Sequence, residues 1–121
     1  MSLFDAEPLC VLLHNPRCSK SRAALALLAE RAAPVRERRY LDEPLSRAEL
    51  GELRDRLGLA PADWIRSGEP AYREAGLSAA SSEAQLLDAM AASPILIERP
   101  ILVRGSRAVV GRPPERVLEL L

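Results

Sequence analysis

The chain has 121 residues and a mass of 13.2 kDa, is 48% hydrophobic, and carries 17 basic and 17 acidic residues for a formal net charge of +0. That length fits one domain, 1–121, able to bury a core without disulfides or metal, and the charge balance excludes bulk electrostatic attraction to nucleic acid or an anionic membrane. Sixteen of the basic residues are arginine and only Lys20 is lysine, so an oxyanion site here is built from forked guanidinium donors.

Leu9 to Leu13 is wholly apolar and ends at His14-Asn15-Pro16, the pattern of a strand buried on both faces that stops at a turn. Ser19 to Ala32 is rich in helix formers, with Ala24, Leu25, Leu28 and Ala32 on one face, and Pro34 ends it. Val35 to Leu41 predicts a second strand. Arg36, Arg38 and Arg39 crowd it and place it at an edge or half exposed. Ser46 with Glu49 forms a capping box for a helix whose stripe, Leu50, Leu53 and Leu57, stops at Gly58. Pro61 to Gly68, which holds the single Trp64, predicts a short helical turn, and Pro70 to Ser81 has no clear period. Ser82 with Gln85 is a second capping box, opening a helix through Leu86, Leu87 and Met90 to about Ala92.

Ile101 to Arg104 and Arg107 to Val110 flank Gly105-Ser106, a pair suited to a type II′ hairpin. Gly111 ends the hairpin, and Pro113 and Pro114 open a terminal helix carrying Val117, Leu118 and Leu121. The order is β, α, β, several α, β, β, α. It predicts an α/β fold with a mixed sheet, parallel at its amino-terminal unit and antiparallel at its carboxy-terminal hairpin, with helices on both faces. The thioredoxin-like topology matches this order.

Cys18 falls between the first strand and the first helix, where the N–H groups of Ser19, Lys20, Ser21 and Arg22 have no partner inside the helix. These donors, the helix dipole and the neighbouring Arg17, Lys20 and Arg22 favour a thiolate, below the ordinary cysteine pKa of about 8.5. The same donors form an anion cradle. Cys10 lies within an apolar strand and reads as inert core. An extended segment from Cys10 to Cys18 spans roughly 15 to 25 Å, well past the 7 Å limit for a disulfide. His14 is placed to hydrogen-bond the loop or the thiolate, or simply to satisfy backbone carbonyls. Ser21, one turn after Cys18, either donates its hydroxyl to the sulfur or is a plain first-turn serine.

Two cysteines and one histidine fall short of a closed zinc site, and four aromatic residues leave little for base stacking. Asp5 and Glu7 stand where a secretory signal is positive, and the longest apolar run, Ala23 to Ala29, is too short to cross a bilayer. A cytoplasmic protein without nucleic-acid or membrane partners is expected. Arg66, Arg99 and Arg112 each sit beside a backbone-restricting residue. Taken alone, each reads as a surface arginine. Arg99-Pro100, opening a strand of a thioredoxin-like sheet, is a candidate cis peptide facing the cysteine loop.

Four segments, HNPRCSKSR at 14–22, WIRSGEP at 64–70, SPILIERP at 93–100 and GRPPE at 111–115, resemble in order and spacing those of the glutaredoxin-dependent arsenate reductases. The resemblance runs from about Leu9 to Leu121. It implies a thioredoxin-like fold with an inserted helical region, a catalytic cysteine at Cys18, and an arginine triad at Arg66, Arg99 and Arg112. The family's supporting His and Ser match His14 and Ser21, and Arg22 beside the loop and Pro100 at the candidate cis bond complete the expected supporting residues. The implied substrate is arsenate, with glutathione and glutaredoxin as reductants and no bound metal or cofactor. Ser21 stands where a second loop cysteine would allow internal resolution, so the resemblance implies an external thiol. Two departures are Ser19-Lys20, where the family often has Gly-Thr, and Ser93-Pro94, where His-Pro is common. The related Spx regulators give an alternative, a binding module for RNA polymerase, although their usual CxxC switch is lacking here. Another alternative is a glutathione-linked thiol reductase of some other substrate.

Overall fold

The computed structural model describes residues 10–121. Asp5, Glu7 and Leu9, on which sequence expectations rest, lie outside the described residues. Strands β1 (Cys10–Leu13), β2 (Val35–Arg38), β3 (Ile101–Arg104) and β4 (Arg107–Val110) form one sheet in the order β2-β1-β3-β4. β1 runs parallel to β2 and antiparallel to β3, and β3 pairs antiparallel with β4.

Alternation along the central strands divides the core in two. Val11, Leu13, Ile101 and Val103 point to one side, against Leu50, Leu53, Trp64, Leu87, Met90 and Ile97. Cys10, Leu12, Leu102 and Val109 point to the other, against Ala24, Leu28, Val117 and Leu120. β1 is therefore apolar at every position because both of its faces are covered. The first side is covered by α2 (Arg47–Leu57) and α4 (Glu83–Ala92), with α3 (Pro70–Glu74) in the segment between them, and the second by α1 (Ser19–Glu30) and the carboxy-terminal segment. Among the described residues no helix is long and apolar enough to cross a membrane.

Both capping boxes form, at Ser46 with Glu49 and at Ser82 with Gln85, and Gly58 closes α2 in the left-handed region at φ 65°. The hairpin strands have the predicted bounds, and Gly105 takes φ 57° while Ser106 does not have positive φ, as a type II′ turn requires. β2 lies at the sheet edge, as its charges imply.

Other boundaries differ for local reasons. α1 stops at Glu30, two residues short of the expected end, as the chain passes through Ala32 at φ 53° before Pro34. β2 ends at Arg38 because Tyr40 turns inward and is fully buried. α3 is a single turn with no fully buried residue, and only Ala71 and Tyr72 pack against the core, so no hydrophobic period marks it. The terminal segment Pro114–Leu120 is a 3-10 helix, not an α-helix. Its buried residues Pro114, Val117 and Leu120 recur every third position, the period of that helix. Leu120 faces the core in place of the expected Leu121, which is 42% exposed.

The loops flanking β3 and β4 bring distant motifs together. The peptide bonds before Pro100 and Pro113 are both cis, the first expected and the second not. Gly111 donates its N–H to the Pro100 carbonyl at 2.8 Å. A Cβ on Gly111 would come within 2.9 Å of Pro100 Cγ and of Val117 Cγ1, so glycine is what allows the chain carrying Arg112 to pass this close to Pro100.

Candidate active site

Cys18 is the N-cap of α1, with extended backbone at φ -94° and ψ 123°, and its side chain is partly exposed. Its N–H donates to the Asn15 carbonyl at 3.0 Å, and its carbonyl accepts the Arg22 N–H at 3.0 Å. The loop before it is braced from within. Asn15 Oδ1 accepts the Arg17 N–H at 3.0 Å, and the Asn15 N–H donates to Ser21 Oγ at 3.0 Å.

Ser21 Oγ also lies 2.7 Å from His14 Nδ1, with both side chains buried. Burial lowers the His14 pKa, Glu37 opposes this, and the charges of Arg39 and Arg22 add to the lowering, so His14 is neutral at pH 7. One lone pair of Ser21 Oγ is taken by the Asn15 N–H, and the hydroxyl shares a second hydrogen bond with His14 Nδ1. Nε2 faces Glu37 Oε1 at 4.0 Å. The Ser21 hydroxyl thus braces the loop through His14 and Asn15. Ser21→Ala leaves the Asn15 N–H and His14 Nδ1 buried without partners and should cost about 1 to 3 kcal/mol, read as a lowered midpoint in urea denaturation.

Partial burial pushes the Cys18 thiol up. The Ser21 N–H, the Arg99 side chain, the Lys20 N–H and the Arg99 charge outweigh it, and the thiol lies below its ordinary pKa. The helix terminus acts as the sequence suggests, through two of the four N–H groups. The cation differs from that expected, because Arg99 supplies it from across the sheet, not Arg17, Lys20 or Arg22. Arg22 instead donates to the Pro16 carbonyl at 2.9 Å and braces the outside of the loop.

Arg112 donates from Nε to the Arg99 carbonyl at 2.8 Å, and its Nη2 lies 3.9 Å from Cys18 Sγ. Arg66 is brought in by a short antiparallel bridge between Ile65 and Ile97. The bridge is flanked by Arg66 N–H to Leu96 carbonyl at 2.7 Å and Glu98 N–H to Trp64 carbonyl at 3.0 Å. The side chain of Arg66 pairs with Glu69, and its Nε lies 3.9 Å from Glu98 Oε1. Three motifs therefore meet at the sulfur through Cys18, Arg99 and Arg112, and the fourth, which carries Arg66, joins them through Glu98; Pro100 is buried.

Among the described residues, the buried side-chain N and O atoms without a hydrogen-bond partner are Tyr40 Oη, Arg66 Nη1, Arg99 Nε and Arg99 Nη1. Arg66 Nη1 is ion-paired with Glu69, whereas Arg99 Nε and Nη1, on the guanidinium that acts on Cys18, are buried donors without a partner; such donors are costly and suit a multidentate oxyanion. Tyr40 belongs to the same site. Burial pushes its pKa up to about 12, and it feels the charges of Arg99, Cys18, Glu98 and Arg112. Sequence reasoning missed Tyr40 and Glu98. Tyr40 carries no sequence signal, whereas Glu98 adjoins Arg99 within a motif and its charge next to that arginine was readable.

A profile of the ArsC family matches residues 13–120. An arsenate reductase of Neisseria meningitidis serogroup A is 44% identical over 112 residues, covering 91% of this chain and 96% of its own length. One from Haemophilus influenzae is 38% identical over 113 residues, covering 92% and 97%. The solved structure of an arsenate reductase from Vibrio cholerae superposes with a TM-score of 0.89 at 43% identity, covering 93% of this chain and 98% of that one.

Proposed function

The chain belongs to the ArsC family, and on that premise we propose that it is a cytoplasmic arsenate reductase coupled to glutathione and glutaredoxin, with Cys18 as nucleophile. The observation that carries this reading is the convergence on one lowered-pKa thiol of Arg112 Nη2 at 3.9 Å and the unpartnered donors of Arg99. Arsenate is a tetrahedral oxyanion, and drawing it out of water requires several charge-assisted hydrogen bonds. Arg66, Arg99 and Arg112 supply forked donors around the sulfur, and the α1 terminus adds its backbone N–H groups.

The Cys18 thiolate attacks arsenic, forming an S–As bond as an arsenate oxygen leaves, protonated, as water. The arginines neutralise charge on the remaining oxygens. The thiolate of glutathione then attacks Cys18 sulfur and the S–As bond breaks. Its electron pair goes to arsenic, which leaves as arsenite, while sulfur is oxidised to a Cys18–glutathione disulfide. Glutaredoxin thiolate takes the glutathionyl group by exchange and returns Cys18 to the thiolate. Ser21 occupies the position of a possible resolving thiol, which supports the need for an external one.

The test is turnover with arsenate, glutathione and glutaredoxin, followed as NADPH oxidation through glutathione reductase and as arsenite formed. Arsenite production dependent on both thiol partners is expected. NADPH oxidation with glutathionylated substrates but none with arsenate would instead assign the protein as a glutathione-linked reductase of another substrate.

A further inference from the structure

The arginine cradle contains its own anion. Glu98 Oε1 lies 3.1 Å from Arg112 Nε and 3.9 Å from Arg66 Nε, and it accepts the Arg99 N–H at 3.1 Å. A single carboxylate oxygen thus touches all three segments that carry the triad. Neither Arg66 nor Arg112 depends on it for position. Arg112 is also fixed by the Arg99 carbonyl at 2.8 Å, and Arg66 by Glu69 and by its own N–H on Leu96. The Glu98 backbone is held in turn by the Trp64 carbonyl. What Glu98 alone adds is a negative charge where substrate oxygens would lie.

We propose that Glu98 is an affinity-setting residue that keeps the resting cradle weak toward oxyanions in general, so that the site retains an anion by covalent capture and not by affinity. Glu98 and Glu69 thus place two carboxylates against Arg66 and Arg112. An entering dianion must compete with the Glu98 carboxylate for Arg112. A cleft of about 380 Å³, lined by Ile65, Arg66, Ser67, Gly68, Glu69 and Glu98, gives that carboxylate room to swing aside. Phosphate has the same shape and charge as arsenate, so a strongly cationic cradle would be filled by phosphate. Arsenate accepts the thiolate and gains a covalent bond; phosphate gains only the weakened ionic contacts. A built-in competitor lowers the non-covalent affinity for both anions alike, which keeps phosphate from filling the site while arsenate is still captured through its bond to sulfur.

This inference rests on the cradle being the arsenate site, and its test separates the two ideas. Gln at position 98 keeps the acceptor for the Arg99 N–H and removes the charge, whereas Asp keeps the charge. Inorganic phosphate is titrated against the rate of Cys18 alkylation by iodoacetamide in the native protein, Glu98→Gln and Glu98→Asp, with no turnover required. In Glu98→Gln, half-protection should come at about tenfold lower phosphate, the size expected for one partly screened charge at this range; Glu98→Asp should stay near the native value. In the coupled assay, Glu98→Gln should lower the phosphate inhibition constant and the arsenate KM by similar factors and leave kcat within about twofold. Unchanged or weakened phosphate protection in a folded Glu98→Gln protein overturns the proposal, even if arsenate is turned over. Tighter phosphate protection without arsenite formation in the native protein leaves the role of Glu98 standing and removes the arsenate reading.

Discussion

Replacing Cys18 by serine is expected to abolish arsenite formation, lowering turnover by about 10³-fold or more, since a serine hydroxyl at a helix terminus stays protonated and has no thiol chemistry to offer. Cys10→Ser should retain most of the activity. Cys10 is 1% exposed and packs with Leu12, Leu102 and Val117 at the end of β1 remote from the Cys18 loop. The cost of Cys10→Ser is a hydroxyl in an apolar core, about 1 to 3 kcal/mol of stability, so the two variants are compared at a temperature where both are folded. Arsenite release per enzyme decides the matter. Equal losses would overturn the division of roles between the two cysteines.

Arg99→Ala should have the next largest effect because Arg99 acts on both reactants. Its side chain hydrogen-bonds Cys18 and its charge lowers the thiol pKa. Its Nε and Nη1 have no protein acceptor and remain for the oxyanion. Loss of the guanidinium should raise the arsenate KM by about 10²-fold, the scale of two charge-assisted hydrogen bonds. The sign of the pH effect follows from which form reacts. The thiolate attacks, Arg99 holds its pKa down, and removing Arg99 raises that pKa, so the acid limb of kcat/KM moves to higher pH. Arg99→Lys restores charge without the fork, and should recover the pH limb better than it recovers KM. An arginine needed only for folding would leave the acid limb in place.

Much of the fold is legible in the sequence because it is set by local rules. The two capping boxes, Gly58 and the Gly105-Ser106 turn act within a few residues of themselves, and the elements they bound appear where they are expected. The misreadings arise where tertiary contacts decide. Tyr40 leaves the β2 line because the core takes its ring, and the carboxy-terminal segment tightens to a 3-10 helix because Pro114, Val117 and Leu120 must share one face.

The candidate site divides in the same way. Cys18 at a helix start is readable from its neighbours, and so is the suspicion attached to Arg99-Pro100. The partner of the thiol is not, because Arg99 lies 81 positions further along and reaches it only through the pairing of β1 with β3. The nearby cations Arg17, Lys20 and Arg22 are attractive in one dimension. In three dimensions, Arg22 turns back to Pro16. The contacts of Ser21 are hidden for a similar reason: its position suggests a donor to sulfur or a plain first-turn serine, and only the folded loop brings its hydroxyl to the buried His14 and Asn15.

The thiolate at Cys18 is measured most directly by its alkylation rate as a function of pH, followed on the peptide that carries it so that Cys10 contributes nothing. A midpoint below the ordinary cysteine value of about 8.5, moving upward in Arg99→Ala, is the predicted result. A native midpoint at or above that value, or one that does not respond to removal of Arg99, would contradict it.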